Sequence, residues 1–167
     1  MLAPPNTAVA AVFHSRSEIA SLAFPDCDRV ETQDVFLSAD QRERIERAAG
    51  SSLSGDFLTI YKGYVGESLI GYAILDSHLV RTLTETLLIV IDTSGSVSAT
   101  YVMAFHEPPE YMPSTRWLVM LDKRRLTDDL RVGRAIVGIT GATLSARAVV
   151  ASIRRSLAIY EVLLAVR

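Results

Sequence analysis

The chain has 167 residues, of which 49% are apolar and 22% charged; it can build a core without disulfides or metal and is too apolar for a disordered tail. Seventeen basic residues against nineteen acidic ones leave a net charge of -2, so no cationic field draws it to nucleic acid. Its single cysteine, Cys27, and three scattered histidines exclude an internal disulfide and a zinc cluster.

Leu2 to Phe13 is apolar, and Ala8-Val9-Ala10 has the spacing of a processing site. It lacks a basic leading region, and Pro4 and Pro5 break its apolar core. Residues 1–14 therefore read as a leader remnant or loose arm, and 15–167 as one domain. No run reaches the roughly 18 continuous apolar residues of a membrane-spanning helix.

Ser15 with Glu18 has the capping-box spacing and opens a short helix that ends at Ala23, before Pro25. A strand-like Val30 to Phe36 follows. Ser38 with Gln41 is a second capping box, beginning a helix over Ala39 to Ala49 that Gly50 closes. Phe57 to Tyr61 and Ser68 to Leu75 read as a hairpin turning at Gly63 to Gly66. Glu85 to Asp92 and Val97 to His106 read as a second hairpin, turning at Thr93-Ser94-Gly95. Together these predict an α+β fold with a meandering antiparallel sheet. Pro108, Pro109 and Pro113 break the chain before a short helix, Thr115 to Leu121, that carries Trp117. Arg124 to Gly138 is charged, then apolar. Leu144 to Val166 places Val150, Ile153, Leu157, Tyr160 and Leu164 on one stripe, with Arg147, Arg154 and Glu161 opposite. That is a long helix packed on the sheet.

Directly before this helix stands Ile139-Thr140-Gly141-Ala142-Thr143-Leu144-Ser145. Gly141 allows a tight turn or close ligand approach, three hydroxyls fall within six residues, and the helix aims its unpaired N–H groups at the same place. On spacing alone, two readings stand: an ordinary helix start with Thr140 or Thr143 as its cap, or a phosphate site.

Thr140-Gly141-Ala142-Thr143, opening a C-terminal helix, resembles the [ST]-G-A-T motif of the FMN-binding domain family. That family includes flavin-carrying subunits of Rnf and sodium-translocating NADH:quinone reductase complexes, and the periplasmic domain of nitrous-oxide-reductase regulators. The likeness extends over roughly Asp56 to Tyr160, through Gly71-Tyr72-Ala73, Ile89-Val90-Ile91-Asp92 with Gly95, and His106-Glu107-Pro108. In the family a flavin transferase esterifies the motif's final threonine with the FMN phosphate; that position is Thr143 here. The family motif usually has an aspartate three residues before the Ser/Thr, where this chain has Val137. Covalent and non-covalent FMN both stay open.

The resemblance implies FMN as cofactor, with the phosphate at Thr140, Gly141, Ala142, Thr143 and Ser145, helped by Arg147. Tyr72, Trp117 and Leu144 are candidates for the ring's slot, although Tyr72 and Trp117 read more readily as core. His78, Arg81, Glu107 and Arg116 are candidates for tuning the ring. It further implies an extracytoplasmic, membrane-associated electron-transfer module whose partners are a redox protein or complex and, for covalent attachment, a flavin transferase. No hydrolytic motif is present, which suits an electron carrier better than a turnover enzyme. The alternative is a flavin-free ligand-binding or sensory domain on the same fold.

Overall fold

In the computed structural model, residues 11–12 and 18–165 are described. The Ser15 capping box, most of the N-terminal arm and Val166 lie outside the described residues. Ala11–Val12 forms a short strand, β1. It is followed by α1 (Ile19–Ala23), β2 (Arg29–Phe36), α2 (Ala39–Ala49), β3 (Phe57–Val65), β4 (Ser68–Leu79), β5 (Thr84–Asp92), β6 (Val97–Phe105), α3 (Thr115–Leu118) and α4 (Thr143–Ile159).

Strands β2 to β6 form a continuous antiparallel meander, and β1 pairs beyond β6 at Phe105 and Ala104. The expected α+β architecture, a sheet of hairpins against a long C-terminal helix and short N-terminal helices, is the one observed. Two boundaries differ from expectation. β3 runs through Gly63 and Tyr64, so the first hairpin turns at Gly66 and Glu67. The glycine belongs in the strand because Phe24 lies over the sheet there: a Cβ on Gly63 would stand 2.6 Å from the Phe24 ring. β4 continues to Leu79, which places His78 inside a strand rather than in the following link.

Each sheet face has its own apolar cluster. On one, α1 and Phe24 cover Ala73, Leu88, Val90 and Met103. On the other, Ile60, Ile74, Leu87, Ile89 and Ile91 meet Ala146, Val149, Val150, Ile153 and Leu157 of α4. Each of the larger buried aliphatic side chains contributes about 1.5–3 kcal/mol relative to exposure. α2 packs against α4 from outside. Its start is the reciprocal Ser38–Gln41 capping box and its end is Gly50, with φ of 69°.

Helix α4 differs from expectation in two places. Arg154 was expected on the wet face, yet it is only 5% exposed. α2 covers that side, and the Arg154 Nε donates to the Ala49 carbonyl at 2.7 Å, with further bonds to Ala48 and Thr127 carbonyls. The helix also does not run unbroken to its end: after Ile159 it widens to a π turn, Tyr160–Leu164. There Tyr160 packs edge-on against Tyr72 and donates its hydroxyl to the Thr93 carbonyl at 2.7 Å.

Candidate functional site: the start of helix α4

The segment before α4 is shaped by three local contacts. Trp117, at the buried side of α3, donates its indole N–H to the Val137 carbonyl at 2.8 Å. The Ala142 N–H closes a turn on the Ile139 carbonyl at 3.1 Å. Gly141 has a φ of 80°, with nothing within 4 Å of where a Cβ would stand. Together they aim the chain into α4.

Neither Thr140 nor Thr143 caps the helix. Ala142 occupies the cap position without a side-chain bond, and Thr143 is the first helical residue. The first backbone bond of α4 runs from the Ala146 N–H to the Ala142 carbonyl. The N–H groups of Thr143, Leu144 and Ser145 therefore have no intrahelical acceptor. They stand at the positive end of a 17-residue dipole.

The opposite wall is the β4–β5 link. Glu107 Oε1 accepts from the N–H groups of Thr82 at 2.7 Å, Leu83 at 2.8 Å and Arg81 at 3.2 Å. These backbone donors hold the Glu107 carboxyl below its ordinary range, against the opposing effect of burial. The same bonds favour the ionised carboxylate, with Oε1 turned to the N–H groups of the link. The clamp fixes the backbone of Arg81, whose exposed guanidinium has no partner among the described residues.

Between these walls lies a depression of about 250 Å3, lined by Gly141, Ala142, Thr143, Leu144 and Ser145 on one side and by Val80, Arg81, Glu107 and Tyr111 on the other. The sequence points to the loop, Leu144, Arg81 and Glu107. Val80 and Tyr111 carry no such signal in the sequence and join the depression through the fold. Tyr111 ends a single 3-10 turn started by Pro109, and the proline run that signalled irregular chain was the available hint.

Other candidates lie elsewhere. Thr140 is exposed just outside the depression. Tyr72 sits against Tyr160, at the far end of α4 and so about 25 Å along its axis from Thr143. Trp117 is behind the loop and positions it without lining the depression. Arg116 is exposed and Arg147 lines a separate pocket.

His78 belongs to a buried polar chain. Its Nδ1 is 2.9 Å from Asp76 and its Nε2 is 3.1 Å from Glu85. Arg155 of α4 donates to both Asp76 oxygens, Nε to Oδ1 at 3.1 Å and Nη2 to Oδ2 at 2.6 Å. Burial works against the Asp76 charge, but the bonds from His78 and Arg155 prevail and hold its carboxyl well below the usual range. Burial likewise opposes the His78 charge, while Asp76 and Glu85 raise its pKa. This chain ties α4 to the sheet.

The arrangement at the start of α4 can bind an anion by N–H groups, a threonine hydroxyl and one arginine. Val80, Leu144 and Tyr111 add an apolar margin beside it. Among the described residues there is no cluster of side chains able to hold a metal ion, and no helix is long and apolar enough to cross a membrane. The chain matches no known family model and no curated protein.

Proposed function

We propose that the protein is an FMN-binding electron-transfer domain, with the flavin phosphate seated at the start of α4. The observation that carries this reading is the convergence on one depression of three N–H groups at the start of a helix without a side-chain cap, Thr143, and Arg81, which has no partner among the described residues. A dianionic phosphate suits that donor set. The resemblance of Thr140-Gly141-Ala142-Thr143 to the family motif supplies the identity of the ligand.

The chain's residues suit the group in a particular way. Thr143, the helix N–H groups and Arg81 would hold the phosphate. Val80, Tyr111 and Leu144 would lie against one side of the ring system. A depression of about 250 Å3 leaves much of a flavin ring at the surface, where a redox partner can reach it. Bound FMN supplies one- and two-electron chemistry that no side chain here provides. The partner is a redox protein or membrane electron-transport complex on the extracytoplasmic side, and a flavin transferase acts beforehand if Thr143 carries the phosphate as an ester.

The test is flavin loading of the whole chain, expressed with and without a flavin transferase. A mass increase of one FMN that survives denaturation and disappears in Thr143→Ala is the covalent form. Flavin released on denaturation is the non-covalent form. Absence of flavin in both preparations, and after incubation with free FMN, sinks the proposal and leaves the flavin-free ligand-binding domain.

A further inference from the structure

A second depression, of about 260 Å3, opens between the end of α2, the segment at Arg131 and the outer face of α4. Among the described residues, its wall contains Arg131, Arg147 and Arg154 and no acidic residue. On α4, Arg147, Val150, Ala151 and Arg154 share one helical face.

The three guanidinium groups differ in what they already do. Arg154 is buried and bonded to the carbonyls of Ala48, Ala49 and Thr127, which are neutral acceptors at and near the negative end of α2. Arg131 donates its Nε to the Asp128 carbonyl at 3.1 Å, and no bond from its outer nitrogens to the described residues accompanies it. Arg147 is exposed and has no partner among the described residues.

Arg131 and Arg154 face one point: their Nη2 atoms are 3.5 and 4.0 Å from where a Cβ on Gly50 would stand. Gly50, required by its φ of 69°, leaves that point empty. Burial, then the charge of Arg131, weakens the hold of Arg154 on its proton, and Asp128 offsets this from outside the pocket wall.

We propose that this pocket binds a phosphate or diphosphate group between Arg131 and Arg147, with Arg154 as a fixed buried charge beside it. Cations gathered without a carboxylate in the wall repel one another, and an anion relieves that repulsion. Arginine forks match phosphate oxygens in pairs, and three cations favour a multiply charged phosphate over a single carboxylate. The pocket is separate from the depression at Thr143, and the proposal does not rest on the flavin reading.

The experiment titrates the whole chain with inorganic pyrophosphate by calorimetry at constant ionic strength. In parallel, flotation with vesicles containing phosphatidic acid separates a lipid-borne phosphate from a soluble one. Arg131→Gln/Arg147→Gln removes both exposed forks and leaves Arg154 to hold α2. Binding of either probe to the wild type, weakened at least about tenfold in the double variant and unchanged in Thr143→Ala, is the expected result. Each single variant, melting like the wild type, should show an intermediate loss. Three results overturn the proposal: neither probe binds the wild type, the double variant binds equally well, or Thr143→Ala abolishes the binding.

Discussion

Glu107 and Thr82 are joined by a 2.7 Å bond from the Thr82 N–H to Glu107 Oε1. The same oxygen also receives the N–H groups of Arg81 and Leu83. A carboxylate after β6 thus sets the shape of the β4–β5 link, and with it the position of Arg81. Glu107→Ala leaves these donors without their acceptor and should cost about 1–3 kcal/mol in urea unfolding. Glu107→Gln keeps an accepting oxygen and should cost less. In a flavin titration, Glu107→Ala should bind FMN more weakly than Glu107→Gln. Equal affinities would mean that the clamp does not position the ligand's wall.

The chain Arg155–Asp76–His78–Glu85 gives folding stability a pH profile with two limbs. Asp76 has a lowered pKa in the folded state, so its contribution is present above about pH 3.9 and is lost as pH falls through the folded value. His78 has a raised pKa, so its contribution is complete below about pH 6.5 and is lost as pH rises through the folded value. These two groups together predict greatest stability between roughly pH 4 and 6.5. Chemical unfolding across pH should show this plateau, and His78→Gln should flatten the upper limb and reduce the lower one to the part that Arg155 supplies.

Removing Asp76 outright has a different consequence. Asp76→Ala leaves Arg155 buried without its carboxylate, and losing one partner of a buried pair costs about 3–5 kcal/mol. Arg155→Met, which takes away the charge and keeps much of the volume, should restore part of that loss in the double variant. A double variant no more stable than Asp76→Ala would show that the buried charge is not what makes the single change costly.

Gly63 and Gly71 lie directly opposite one another in β3 and β4. Phe24 fills the space above them. At Gly71 a Cβ would come within 2.8 Å of the Ile91 carbonyl oxygen, a backbone atom that cannot turn away. Gly71→Ala should therefore destabilise by about 1–3 kcal/mol, as overpacking in a core does. Thermal unfolding measures this, and a neutral change would show that β4 and β5 can part locally.

Most of the architecture was legible because it rests on local signals. The Ser38–Gln41 box, Gly50, the turn at Thr93-Ser94-Gly95 and the apolar stripe of α4 each act within a few residues. What escaped depends on partners far away in the chain. Arg154 looks solvated until α2, about a hundred positions earlier, is laid over it. Gly63 looks like a turn until Phe24 is placed above it. His78 looks like loop because the buried chain it joins is completed by Arg155, which α4 brings to Asp76 from 79 positions away. The site divides in the same way: the contiguous Thr-Gly-Ala-Thr stretch was visible, whereas Val80 and Tyr111 join it only through the fold.

Val137 offers the sharpest separation of covalent from non-covalent flavin. Its side chain is 69% exposed, and the contact that holds this segment uses its carbonyl, which accepts from Trp117. An aspartate can therefore stand there without burial and without disturbing the loop, at a cost within about 0.5 kcal/mol. Val137→Asp also completes the motif that the family resemblance implies for flavin transfer. In cells supplied with a flavin transferase, it should raise the fraction of chain carrying denaturation-resistant FMN. The increase should vanish in Val137→Asp/Thr143→Ala. A folded Val137→Asp variant with no gain in covalent flavin, beside a wild type that binds FMN reversibly, would place the barrier to attachment elsewhere than at this missing carboxylate. Thr143 would then serve the phosphate as a hydrogen-bond donor at the start of α4.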